Sequence, residues 1–352
     1  MVIGPRQVGK TTLIKTFLEG VDYEFFDGDD PIIRETLNTP NTEEIKALLG
    51  KKKVIFIDEA QRINNIGLTM KIIIDQFKDV QLWISGSSSF SLFNELNEPL
   101  TGRKWEYELF PISWEEFENN SGYLRAKMQL KNRLRFGMYP DVINNPGEEI
   151  EILRTLVESY LYKDVLSYSG IKKPEILDKL IRALALQVGS EVNYNELSRL
   201  VGVDKITVEK YITVLEQGYV IFRLPSFSRN VRNEIKKGKK IYFYDNGIRN
   251  MVIKSMNEIE FRSDIGALWE NFLVSERIKQ NRYKLRLASS YFWRTTQRQE
   301  IDYVEEVNME LFAYEFKWNP KKKARISKTF IKQYNAESKV ISRDNFRDFV
   351  IT

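Results

Sequence analysis

The 352-residue chain contains no cysteine and no histidine. The first absence removes disulfides, thiolate nucleophiles and zinc–sulfur sites. The second removes the imidazole base, the Ser-His-Asp triad and every histidine-liganded metal. Acid–base work falls to carboxylates, lysine, tyrosine or bound water. Metal chemistry falls to oxygen ligands, which suit magnesium or manganese. No apolar run approaches the ~18 residues of a membrane-spanning helix. Nor does the N-terminus carry the charged region and apolar stretch of a signal peptide. A cytoplasmic protein without a membrane partner is expected. Hydrophobic content of 42% and charged content of 29% are ordinary for a globular chain, and this length allows two or three domains. The net charge of +5 is compatible with nucleic acid, and equally with a composition simply rich in Lys, Ile and Asn.

What is present begins at once. GPRQVGKT (4–11) fits G-x-x-x-x-G-K-[ST], preceded only by Met1, Val2 and Ile3. Its glycines let backbone N–H groups turn inward around phosphates, along Gly4, Pro5, Arg6, Gln7, Val8 and Gly9. Lys10 would reach the β and γ oxygens, and Thr11 would offer its hydroxyl to magnesium. Thr12 and the residues after it read as a helix, whose N-terminus faces the anion. A chance match in a chain this long is roughly a one-per-cent event at ordinary residue frequencies, so an accidental glycine turn is a poor explanation. VIFIDEAQ (54–61) supplies the partner: a four-residue apolar strand ending in Asp58 and Glu59. The aspartate suits magnesium, and the glutamate suits polarising the attacking water. ATP/ADP and Mg are therefore the expected ligand and metal. WISGSSS (83–89) ends at the same sheet edge, where Ser87 is a candidate to bind the attacking water or the phosphate. Arg103, in LTGRK (100–104), is a candidate for stabilising developing phosphate charge, in cis or from a neighbouring subunit; a plain surface arginine is the alternative. Arg62 is a weaker candidate.

Residues 1–118 alternate strand and helix signals, with YEFFD (23–27), KVIFIDEA (53–60), VQLWISGSS (80–88) and RKWEYELFPIS (103–113) as strands. This alternation predicts a parallel sheet covered on both faces. Residues 119–174 read as a helical lid or linker. Residues 175–250 read as a winged helix. In 191–224 Leu197, Leu200 and Val201 form one apolar face, Gly202 opens a turn, and Val208, Tyr211, Ile212 and Leu215 form the next stripe. The exposed helix face has mixed charge, with Lys205 and Lys210 beside Glu209 and Glu216. The wing RNVRNEIKKGKK (229–240), from Arg229 to Lys240, is basic enough to clamp DNA phosphates. A domain-packing or protein-binding winged helix stays open. Residues 251–352 return to α/β. Asp302 on one strand, Glu315 and Lys317 two apart on the next, and Glu270 on the preceding helix fit a PD-(D/E)XK nuclease-like core. There the carboxylates would hold magnesium and the lysine would steady hydroxide or phosphate. Acid–x–Lys strands are also frequent on solvated faces, and such folds often persist as binding modules.

GPRQVGKTT, FIDEAQR, ISGSSS, LTGRK, LFPISWEEF and GMYPDVI together resemble the archaeal and bacterial AAA-type P-loop ATPases, over nearly the whole chain. The resemblance implies an additional-strand ATPase with sheet order 5-1-4-3-2, then a winged helix and a nuclease-like domain of poorly defined role. It places Glu59 at the catalytic glutamate, Ser87 at the sensor position and Arg103 at the glycine–arginine turn. Relatives usually carry roughly 20–40 residues before the phosphate loop. The lead-in MVI therefore leads us to expect an upstream segment, whose restoration should raise ATP affinity or stability. The expected function is Mg-dependent ATP hydrolysis that moves the C-terminal domains, with DNA or a protein as partner and oligomers open. Two alternatives stand beside it: an ATP-dependent DNA nuclease, and a nucleotide-switched DNA-binding or scaffold protein without cleavage.

Overall fold

The computed structural model describes residues 1–38, 41–87, 102–159, 173–229, 238–297, 299–322, 324 and 326–351. Ser88 and Ser89, Leu100 and Thr101, and 230–237 of the wing lie outside the described residues. The chain divides into two compact units: Met1–Phe110 with Gln217–Tyr219, and Pro111–Glu216 with Val220–Thr352.

The first unit is built on five parallel strands: β1 (Val2–Ile3), β2 (Tyr23–Asp27), β3 (Val54–Asp58), β4 (Gln81–Gly86) and β5 (Tyr107–Glu108). Their order is β2-β3-β4-β1-β5, the expected 5-1-4-3-2 arrangement read from the other edge. The VIFI run of β3 has no polar alternation because helices cover both faces of a parallel sheet. Ile55, Phe56 and Ile57 are accordingly inaccessible to solvent. Helices α1 (Lys10–Phe17), α2 (Pro31–Asn38), α3 (Thr42–Leu49) and α4 (Ile66–Gln76) connect the strands. Val2, Ile14, Leu18 and Phe56 form the cluster that packs α1 against β1 and β3. β1 is short but central, registered on Ser85–Gly86 of β4 on one side and Tyr107–Glu108 of β5 on the other.

The second unit opens with α5 (Trp114–Ser121), α6 (Tyr123–Phe136), α7 (Pro140–Asn144) and α8 (Glu149–Leu156). Ser113 and Glu116 cap α5 reciprocally, a pairing written in the sequence as S-x-x-E. α9 (Pro174–Leu186), α10 (Tyr194–Val201) and α11 (Lys205–Gln217) follow, with a three-stranded sheet ordered β6-β8-β7 from β6 (Glu191–Val192), β7 (Ile221–Pro225) and β8 (Lys239–Phe243). α12 (Asn246–Val252) holds α6 and the turn after it. Asp245 accepts from Met138 N at 2.6 Å, and Asn250 Nδ2 donates to Leu134 and Arg135 carbonyls at 3.2 and 2.8 Å.

Long helix α13 (Ile265–Tyr283) precedes a four-stranded sheet ordered β12-β11-β10-β9. Its strands are β9 (Ala288–Arg294), β10 (Glu300–Val307), β11 (Glu310–Lys317) and β12 (Glu337–Ser342), with α14 (Lys328–Tyr334) and α15 (Arg347–Ile351) completing the unit. Phe227, Trp293, Ile301, Val304, Leu311 and Phe330 form its apolar core. α13 is buried nearly all round although much of it is polar, so each charge needs a partner. Arg277 takes both oxygens of Glu305 at 2.6 and 2.8 Å, and Lys279 pairs with Glu276 at 2.7 Å. Among the described residues no helix is long and apolar enough to cross a membrane.

Candidate functional site

The phosphate loop runs from the end of β1 to the N-terminus of α1, so the buried strand and the helix fix both its ends. Gly4 is there for want of space: a Cβ on it would overlap the Leu109 carbonyl that follows β5. Lys10 is 5% exposed and its ammonium donates to the carbonyls of Gly4 (3.1 Å) and Pro5 (2.7 Å). Burial pulls its pKa down to about 8, against the opposing pull of Glu59 and Asp58. Thr11 Oγ1 donates to Asp58 Oδ2 at 2.8 Å, joining the loop to the end of β3. Thr11 and Asp58 are thus one hydroxyl and one carboxylate in contact, hard oxygen donors that fit magnesium and offer nothing to softer metals.

Asp58 is buried and held from behind. Ser85 Oγ donates to its Oδ1, and the Glu59 N–H reaches the same oxygen at 3.1 Å. Glu59 sits in the left-handed region at φ 46, where the chain turns from β3 into a short 3₁₀ segment, Ala60–Arg62. A non-glycine residue there is uncommon, and such positions concentrate at functional sites. Gln61 then bridges two of the sequence candidates. Its Nε2 donates to the Glu59 carboxylate and to Ser87 Oγ (2.7 Å), and its Oε1 accepts from Ser87 N at 3.3 Å. Lys10, Thr11, Asp58, Glu59 and Ser87 therefore converge. Arg103 does not join them through a bond of its own; it pairs with Asp75 near the end of α4 and is half-exposed. Arg62 lies 3.4 Å from Asp29 at the surface.

Sequence reasoning missed Gln61 and Ser85. Both lie inside quoted motifs, but their roles depend on β3 and β4 being neighbours, which a linear pattern does not state.

The second carboxylate group also assembles. Glu270 comes from α13, Asp302 from β10, and Glu315 and Lys317 from β11, where Lys317 Nζ donates to Glu315 Oε1 at 2.9 Å. Asp302 accepts from Phe316 N at 2.8 Å. Two members were not anticipated, Glu300 on β10 and Lys240 on β8. Lys240 is 2% exposed and lies 2.8 Å from Glu300 and 3.1 Å from Glu270. It is therefore not available to DNA phosphates as the wing reading expected. Arg229, at the wing's other end, pairs with Glu306 at 3.1 Å. Burial pushes Glu270 up to about 7, with Asp302 adding to the rise and Lys240 opposing it. Burial also raises Asp302 and Glu315. Among the described residues no three carboxylates stand as a metal-holding set. As placed, with an ammonium between Glu270 and Glu300, this group does not fit the magnesium that a nuclease-like core implies, although Glu315 Oε2 is buried without a hydrogen-bond partner.

The five-stranded parallel sheet and the glycine loop between β1 and α1 define a P-loop domain of the α/β class. Residues 1–118 match an AAA domain, residues 127–258 a domain of unknown function (DUF8612), and residues 265–351 another (DUF4143). The chain thus carries an AAA domain at its N-terminus joined to a C-terminal DUF4143 domain. An uncharacterized protein of Mycobacterium tuberculosis is 27% identical over 322 residues, covering 90% of this chain and 69% of the relative. Another, from Methanocaldococcus jannaschii, is 24% identical over 378 residues, covering all of this chain and 81% of the relative. One solved structure, the replication initiator DnaA bound to AMPPCP and single-stranded DNA, aligns at 16% identity over 61% of this chain and 81% of that one, with a TM-score of 0.28. That overlap is too loose to add to the site geometry.

Proposed function

We propose that the chain is a magnesium-dependent ATPase whose turnover moves its C-terminal unit, with DNA as the candidate partner of that unit. The observation that carries this reading is the 2.8 Å contact between Thr11 and Asp58, which ties the phosphate loop to the acidic end of β3. Lys10 leaves the Gly4 and Pro5 carbonyls to neutralise the β and γ oxygens of ATP. Thr11 and Asp58 would hold magnesium, which would supply positive charge to offset that of the phosphates. Glu59 orients the attacking water and accepts its proton. Ser87 donates to the water or the γ-phosphate. Gln61 is a positioning residue, because its side chain ties Glu59 to Ser87. Helices α10 and α11 with the β6-β8-β7 sheet support reading that module as a winged helix.

Steady-state ATP turnover and equilibrium ATP binding test the assignment. Lys10→Ala should lose binding. Glu59→Gln should keep binding while kcat falls by on the order of 10²–10⁴, the usual worth of a general base. Gln61→Ala should lower kcat with KM for ATP little changed, since it acts after binding. Unchanged turnover in Glu59→Gln would remove Glu59 from the base role.

A further inference from the structure

The C-terminal carboxylates already have a cation among them. Glu270, Glu300, Asp302 and Glu315 come from α13, β10 and β11, whereas Lys240 reaches them from β8 of the three-stranded sheet. Its position is fixed by construction. β8 runs between β6 and β7, with Lys240 opposite Glu191 on one and Leu224 on the other. The Phe292 ring lies 5.5 Å from the ammonium. Tyr242, two residues on, shares the same strand face and donates its hydroxyl to Glu270 Oε1 at 2.6 Å. The same oxygen takes Lys240 at 3.1 Å, while Lys240 also reaches Glu300 at 2.8 Å. At the other end of the group, Lys317 is committed to Glu315.

A divalent ion needs carboxylate oxygens at roughly 2.0–2.6 Å. An ammonium bridging Glu270 Oε1 and Glu300 Oε1 occupies one oxygen of each carboxylate and repels a second cation at close range. We propose that Lys240 is the resident cation of this cluster, standing in place of the divalent metal that a nuclease-like carboxylate set would take, so that the folded C-terminal domain neither binds such a metal nor cuts phosphodiesters. A merely structural ion pair makes a different prediction. Removing Lys240 would then leave buried carboxylates uncompensated, and no metal would repair the loss.

Mn²⁺ binding and thermal unfolding of the full, nucleotide-free chain separate the two. All variants carry Asp58→Asn, which silences the carboxylate at the phosphate loop. Free Mn²⁺ is followed by electron paramagnetic resonance. Lys240→Met keeps the length of the side chain and removes its charge. With the ammonium gone the carboxylates should close on an ion, so this variant should bind one Mn²⁺ at least tenfold more tightly than its parent, and Mn²⁺ should raise its Tm. Adding Asp302→Asn should abolish both gains. Lys240→Arg, which keeps the cation, should behave as the parent does. The proposal is overturned if the parent binds Mn²⁺ as tightly as Lys240→Met, or if Lys240→Arg gains as much as Lys240→Met. It also fails if Lys240→Met stays unfolded at saturating Mn²⁺, because the ion would then not be replacing the ammonium.

Discussion

Lys10 carries its charge at a cost that the nucleotide should relieve. In the free protein burial holds it at about 8, well below its ordinary value of 10.5. Phosphate oxygens beside the ammonium raise that value, so ATP binding takes up a proton above about pH 8 and none well below it. ATP affinity should be flat at neutral pH and then fall, at most about tenfold per pH unit, as the pH rises beyond about 8. Calorimetry in buffers of different ionisation heat should show the matching proton uptake. Affinity that does not change up to pH 10 would mean that the lysine stays charged without the nucleotide. The chemistry of Lys10, Thr11, Asp58 and Glu59 was legible in the sequence because each follows from residue type and spacing along one turn or one strand end. Gln61 was not legible, since glutamine after DEA has no chemical signature until β4 brings Ser87 within 2.7 Å of it.

Elements were legible where one pattern decided them. The uniform apolar run of β3 is such a local signal and appears as written. Helix α13 is different: Leu268, Trp269, Phe272 and Leu273 give its first half an apolar face, but the polar second half is buried as well. Its burial rests on partners from α5, β8 and β10 that no local pattern could indicate. Close approaches between elements were equally hidden. Gly28 follows β2, and a Cβ there would lie 2.5 Å from Glu59 O and 2.8 Å from Asp58 O. Both atoms belong to backbone, which cannot swing aside. Gly28→Ala should therefore push the end of β3, lowering kcat and costing about 1–3 kcal/mol of stability, the usual range for overpacking. Gly266→Ala, where an added Cβ meets nothing within 4 Å, is the matched control and should leave both unchanged or stability slightly raised. A Gly28→Ala protein with native Tm and turnover would show that the β2–β3 junction yields more easily than its geometry implies.

At the scale of the whole molecule the question is how firmly the C-terminal unit could hold DNA. The wing segment 229–240 has six cations in sequence: Arg229, Arg232, Lys236, Lys237, Lys239 and Lys240. One of them, Lys240, is buried and spent on Glu270 and Glu300, whereas Arg229 pairs with Glu306 at the surface and stays half-exposed. That leaves at most five for phosphates, beside Glu234 of opposite sign. Each phosphate neutralised contributes a slope of about −0.9 to log K against log salt on duplex DNA. If the wing is the contact surface, the slope should be no steeper than about −4.5, short of the about −5.4 that six cations would give. Fluorescence anisotropy with duplex DNA across 50–200 mM salt measures it, and the same titration with Lys236→Ala/Lys237→Ala should flatten the slope by about two units. A steeper slope that survives this double substitution would move the DNA surface away from the wing. Running ATP turnover in parallel, with and without DNA, links the two units: stimulation that disappears in Lys236→Ala/Lys237→Ala would make the wing the part through which DNA reaches the ATPase. Stimulation that persists would leave the wing a bystander.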